Sequence, residues 1–238
     1  MIIPKDEIKY VFNVSKLRKG DILLINTYDR IRRLMPGCKY DHAAMYIGDA
    51  FLIESDGTGV VQNHIFSYAF KDELDACVMR LKESSIETIG NVIVNARTKF
   101  AMGYGTQEAR MVYKLREGDV KENSNRTFCS RLVSQAYHDE GIDLVKNSDY
   151  CSPDDFLNSE VLIKVEEALQ PFTDEMTMTV MNAQDERNNS DWNDSLAEMF
   201  EVFRNFYHTD IQTFDQFIKA VIENKNKDEE AEKLLYEQ

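Results

Sequence analysis

Of the residues in this chain, Cys129 is the one whose type and position best suit a nucleophile. It opens an amphipathic run in which Leu132, Val133, Ala136 and Tyr137 share a helical face, and Gly141 supplies the stop. A thiol at a helix N-terminus feels the positive end of the helix dipole, and a nearby imidazolium favours the thiolate further. A cysteine so placed attacks an acyl carbon. One that merely packs at a helix start is inert, so the distinction rests on a base.

His42 is the candidate base. It lies in an apolar, strand-like segment from Asp41 to Ile47, where alternation puts it on the same face as Ala44 and Tyr46. A second apolar arm, Phe51 to Glu54, follows Gly48-Asp49-Ala50, which reads as a hairpin in which glycine supplies the turn geometry. If the hairpin loop holds an odd number of residues, the face of His42 also carries Glu54 or Asp56. An even number turns Glu54 to the wrong face. A carboxylate beside the imidazole would complete the nucleophile, base and orienter logic of a triad, fixing the tautomer and stabilising the imidazolium. His64, His138 and His208 have no evident partner in the pattern, and Cys38, Cys77 and Cys151 read as inert thiols.

The elements that must position these groups are legible as strands first and helices later. Gly20-Asp21 introduces the buried-strand run Ile22 to Ile25, and Pro36-Gly37 marks a turn. Gly57 and Gly59 close the second hairpin arm. Val60-Val61 and Cys77 to Leu81 are further strands, with the form of Asn63 to Asp75 left open. Ser84 with Glu87 fits a capping box, and Ile86, Ile89, Ile93, Val94 and Phe100 predict one helical face ending at Gly103. Ser152-Pro153-Asp154-Asp155 predicts a compact helix start, and Val161 to Val165 a returning strand.

From Pro171 onward there are 16 acidic and 6 basic residues, so most of the net charge of −14 sits in this tail. Trp192, Leu196, Met199, Phe200 and Phe203 form one helical stripe there. Thr213 with Gln216 caps another that carries Phe214, Phe217, Ile218, Val221 and Ile222. These features divide the chain into a catalytic region, 1–170, and an acidic helical extension, 171–238. The extension could cover a cleft with its aromatic stripe. The acidic balance excludes a phosphate-binding face, hence a nucleic-acid partner. Four cysteines without a Cys-x-x-Cys pair point to free thiols in a reducing compartment, with no metal and no cofactor expected. No run approaches the ~20 apolar residues of a membrane span, and the opening residues lack a secretion signal, so a cytoplasmic protein without stable membrane insertion is expected.

Four stretches in order, Gly20-Asp21-Ile22-Leu23, Asp41 to Asp49, Leu52-Ile53-Glu54-Ser55 and Phe128 to Val133, resemble the YiiX-like branch of the permuted NlpC-type papain-like hydrolases. The likeness continues through Ser152 to Leu157 and covers roughly residues 18 to 165. It implies an α+β, circularly permuted papain-like fold, in which the cysteine helix packs on an antiparallel sheet, here followed by the C-terminal helical extension. By position it gives Cys129, His42 and Glu54 the roles of nucleophile, base and orienter. Tyr104-Gly105 stands where many relatives have Tyr-Asp, and the Gly118 to Asn125 loop is unusually polar. The implied activity is cleavage of an amide in a peptide-like substrate, cell-wall peptides among them, through an acyl-enzyme. The backbone N–H of Cys129 would hold the oxyanion; Tyr28 is a second donor by type but is left out of the assigned site. Acyl transfer or thioester cleavage on a lipid-like substrate, and a non-catalytic binding or regulatory module, are the competing readings.

Overall fold

A computed structural model describes residues 3–27, 38–100, 102–106, 109, 112 and 126–188. In chain order the strands are β1 (Tyr10–Phe12), β2 (Ile22–Ile25), β3 (His42–Gly48), β4 (Phe51–Asp56), β5 (Gly59–His64), β6 (Ala69–Phe70), β7 (Ala76–Leu81), β8 (Gly103–Tyr104), β9 (Arg126–Thr127), β10 (Leu162–Lys164) and β11 (Leu169–Pro171). The α-helices are α1 (Ile86–Arg97), α2 (Cys129–His138) and α3 (Thr177–Asn188).

Six strands form one antiparallel sheet in the order β10-β7-β2-β3-β4-β5. The central strands are apolar on both faces because both are covered. On one side Ile22, Leu24, Ala43 and Met45 meet Val92, Ile93 and Ala96 of α1 and Leu132, Val133 and Ala136 of α2. On the other, Leu23, Ile25, Ala44 and Leu52 pack with Phe12 and Phe70 from a smaller sheet, β11-β1-β6. This arrangement is the expected α+β fold, with the cysteine helix packed on an antiparallel sheet. No helix among the described residues is long and apolar enough to cross a membrane.

The details differ from the sequence reading in several places. The β3–β4 turn puts Gly48, Asp49 and Ala50 all at positive φ, so two non-glycine residues share the left-handed geometry expected of glycine alone. The register shifts between Tyr46 and Gly48, and this bulge leaves Ala44 opposite Glu54. The cap of α1 is Ser85, whose Oγ accepts from Thr88 N–H, rather than Ser84. Its buried face is Val92, Ile93 and Ala96. Ile86, in the first turn, and Val94, off the buried stripe, are exposed. The helix stops at Arg97, and Gly103 instead begins β8, which runs parallel to β9. Ser152 and Asp155 do form a reciprocal cap, but on a 3-10 helix, Pro153–Asn158.

β11 and α3 continue the body past the boundary at 170. β11 pairs with β1, and α3 buries Val180 and Ala183, Val180 against Ile3, Ile8, Val11 and Ala69. The stripes from Trp192 to Phe203 and from Thr213 to Ile222, together with His208, lie outside the described residues.

Candidate active site

Cys129 begins α2, and the side chains of Ser130 and Arg131 hold this helix start in place. Ser130 Oγ donates to the Cys151 carbonyl. Arg131 Nε donates to the Asp149 carbonyl at 2.6 Å, and its guanidinium lies 4.7 Å from the ring centres of both Phe128 and Tyr150. Further along, the Tyr137 hydroxyl donates to the carbonyl of Gly20, which ties the helix to the entrance of β2.

The strand that carries His42 is fixed by the same region. Asp154 accepts from the backbone N–H groups of Lys39 and Tyr40, at 2.6 and 2.9 Å, just ahead of β3. Ser55, adjacent to Glu54, donates to the Thr127 carbonyl at 3.3 Å, two residues before Cys129. The segment around Ser152 to Asp155 and the β4–β9 contact therefore lock nucleophile, base and carboxylate into one frame.

Within that frame His42 Nε2 pairs with Glu54 Oε2, and the Cys129 thiol lies near enough to the same imidazole to act on its proton affinity, with Nδ1 the ring nitrogen left to face it. Glu54, not Asp56, is thus the carboxylate that meets His42; Asp56 accepts instead from Thr58 N–H and Oγ, at 2.9 and 2.6 Å. Glu54 has no exposed surface and His42 is 8% exposed. Its carboxylate also accepts from Asn63 Nδ2 at 2.6 Å and from the Tyr68 hydroxyl, while Arg187 Nη2 of α3 lies 3.3 Å from Oε1. Arg187 donates to the Tyr68 hydroxyl at 2.6 Å, with its guanidinium 4.1 Å from the centre of that ring.

Electrostatics follow from this packing. Burial opposes charge on His42, but the Glu54 carboxylate and the nearby Cys129 thiol outweigh it and lift its pKa to about 10. Burial likewise opposes charge on Glu54, yet Arg187 and His42 hold it well below the usual carboxylate range. Cys151 and Cys77 are different: burial pushes the first up to about 12 and raises the second. This is the environment of an inert thiol.

His42, Cys129, Tyr68 and Arg187 line a cavity of about 390 Å³ whose wall also includes Ile3, Phe70 and Phe128. The other described histidines serve elsewhere. His64 Nδ1 accepts from Phe66 N–H, and His138 pairs with Asp143 on the surface at 2.6 Å. Asn63, Tyr68 and Arg187 were missed in the sequence. Asn63 left a signal, since β4–β5 pairing puts it on the face of Glu54; the other two arrive through tertiary packing. Tyr28 and the Gly118 to Asn125 loop lie outside the described residues. Among the described residues, no group of three or more His, Cys, Asp or Glu side chains is placed to hold a metal ion.

A comparison with curated proteins found no match. The family model described as permuted papain-like amidase enzyme, YaeF/YiiX, C92 family, matches residues 16–179, a stretch that contains Cys129, His42 and Glu54. With more than half of its length matched, and with the fold described above, the chain belongs to the permuted papain-like amidase family.

Proposed function

We propose that this chain is a cysteine amidase that cleaves an amide of a peptide-like substrate through a covalent acyl-enzyme, with Cys129 as nucleophile, His42 as acid and base, and Glu54 as orienter. The observation that carries the reading is the buried His42–Glu54 pair with Cys129 beside the same imidazole, His42 and Cys129 both lining one cavity. The Cys129 sulfur adds to the substrate carbonyl carbon, and the resulting oxyanion is met by the N-terminal amides of α2. The imidazolium of His42 then gives its proton to the departing nitrogen as the C–N bond breaks. In the second half, neutral His42 takes a proton from water, whose oxygen displaces the thiolate and releases the acid. Glu54 fixes the ring so that one nitrogen always faces the sulfur.

The apolar part of the cavity wall, Ile3, Ala69, Phe70, Val112 and Phe128, favours a second reading, transfer or hydrolysis of an apolar acyl group. One experiment serves both. The protein is incubated with peptidyl amides, including cell-wall-type peptides, and with acyl thioesters, and the mass of the intact chain is followed. An adduct on Cys129, absent in Cys129→Ala and released as free acid, supports the amidase when amides form it. Formation from thioesters alone, with delivery to an added amine or alcohol, supports the second reading. No adduct from either class contradicts both and leaves a binding module on the same fold.

A further inference from the structure

The family match ends at residue 179, in the first turn of α3, and the rest of that helix delivers a cation to the buried carboxylate. We propose that Arg187 is a positioning residue for the reaction, its permanent charge keeping Glu54 ionised at the step where His42 becomes neutral. The proposal rests on the catalytic reading of Cys129 and His42.

Glu54 is sealed from water, so its negative charge depends on its neighbours. The groups that face it are His42 of β3 on Oε2, Asn63 of β5 on Oε1, Tyr68 after the 3-10 turn Ile65–Ser67 on Oε2, and Arg187 of α3 on Oε1. Asp56 of β4 also acts on Arg187, and the Cys129 thiol acts on His42. Of the two cations at Glu54, only Arg187 keeps its charge through the cycle. When His42 hands its proton to the leaving nitrogen, a carboxylate with no other counter-charge would draw a proton back, and the ring would lose its orientation. Arg187 removes that risk in two ways. It sits directly against Oε1, and it donates to Tyr68, polarising the hydroxyl that donates to Oε2.

α3 is held for this task by packing as well as by charge. Val180 and Ala183 are buried, and the helix lies on the turn that presents Tyr68. The segment after 170 thereby supplies part of the site's electrostatics.

Removing a fixed positive charge raises the proton affinity of every titrating group near it, so both limbs of a pH profile should move the same way. The test measures alkylation of Cys129 by iodoacetamide from pH 4 to 11 in the wild type, Arg187→Gln, Arg187→Lys and His42→Ala. The proposal expects Arg187→Gln to move both limbs upward by roughly 1 pH unit, and Arg187→Lys to restore them. Unmoved limbs in a folded Arg187→Gln protein overturn it. If Arg187→Gln does not fold, the lysine variant decides: limbs at the wild-type positions uphold the role of charge, and displaced limbs overturn it. Failure of the underlying catalytic reading is visible separately, as alkylation in the wild type that does not depend on His42.

Discussion

Replacing Glu54 with Gln exchanges one oxygen for an amide nitrogen at a position with no exposed surface. Four donors converge there, two on each oxygen: His42 and Tyr68 on Oε2, Asn63 and Arg187 on Oε1. A carboxylate accepts on both oxygens, whereas a glutamine accepts on one and donates from the other. Whichever way the amide turns, its NH₂ faces two donors. Breaking a buried pair in this manner costs about 3–5 kcal/mol. The shift of His42 has the same sense: against the pull of burial, Glu54 first and then Cys129 raise it from 6.5 to about 10.

The pH dependence carries a definite sign. A raised histidine stabilises the fold fully below its unfolded value of ~6.5 and ceases to do so as pH rises through about 10. A depressed carboxylate stabilises above its unfolded value of ~4.3, and that part is lost as pH falls toward the folded value. Urea unfolding should therefore be followed from pH 6 to 10 in a Cys129→Ala background, which removes the thiol's share. Stability should fall across this window with Glu54 in place and stay nearly flat in Glu54→Gln, the two differing by about 3–5 kcal/mol at pH 6. Equal slopes in the two proteins would refute the claim that Glu54 holds the proton on His42.

Asp56 contacts Thr58 rather than His42, so Asp56→Asn should leave amidase turnover within about twofold, while Asn63→Leu, which removes a donor to Glu54, should lower it roughly tenfold at constant KM; steady-state kinetics decide. Burial keeps Cys77 and Cys151 protonated, so peptide mapping after native alkylation should find them unmodified until denaturant is added. Gly59 has φ +129°, and a Cβ there would lie 2.6 Å from the Met102 carbonyl. Gly59→Ala should therefore cost about 1–3 kcal/mol in thermal or urea unfolding.

Much of the site was legible because it lies on short-range patterns. Cys129 was found from an amphipathic run that starts at it, and the even spacing of His42, Ala44, Glu54 and Asp56 narrowed the orienter to two candidates. The bulge after Tyr46 set the parity that puts both on the face of His42, and the choice of Glu54 over Asp56 came from side-chain packing, which periodicity does not report. Buried strands such as Ile22–Ile25 announced themselves as continuous apolar runs, but β1, β6 and β11 did not, being three residues or fewer and defined only by mutual pairing. Tyr68 and Arg187 belong to the same class. Their positions arise from the packing of α3 on a turn more than a hundred residues earlier, and a surface-type arginine in a polar helix gives no local sign that it will turn inward to a buried carboxylate.

The central claim is that Cys129 is a nucleophile served by His42, and the most direct test is its alkylation by iodoacetamide near pH 6, followed by mass spectrometry in the wild type and in His42→Ala. An ordinary thiol, with a pKa of ~8.5, reacts slowly at that pH. The account predicts rapid modification of Cys129 in the wild type and a drop of at least about tenfold in His42→Ala. A Cys129 that is inert in both, or equally reactive in both, would contradict it.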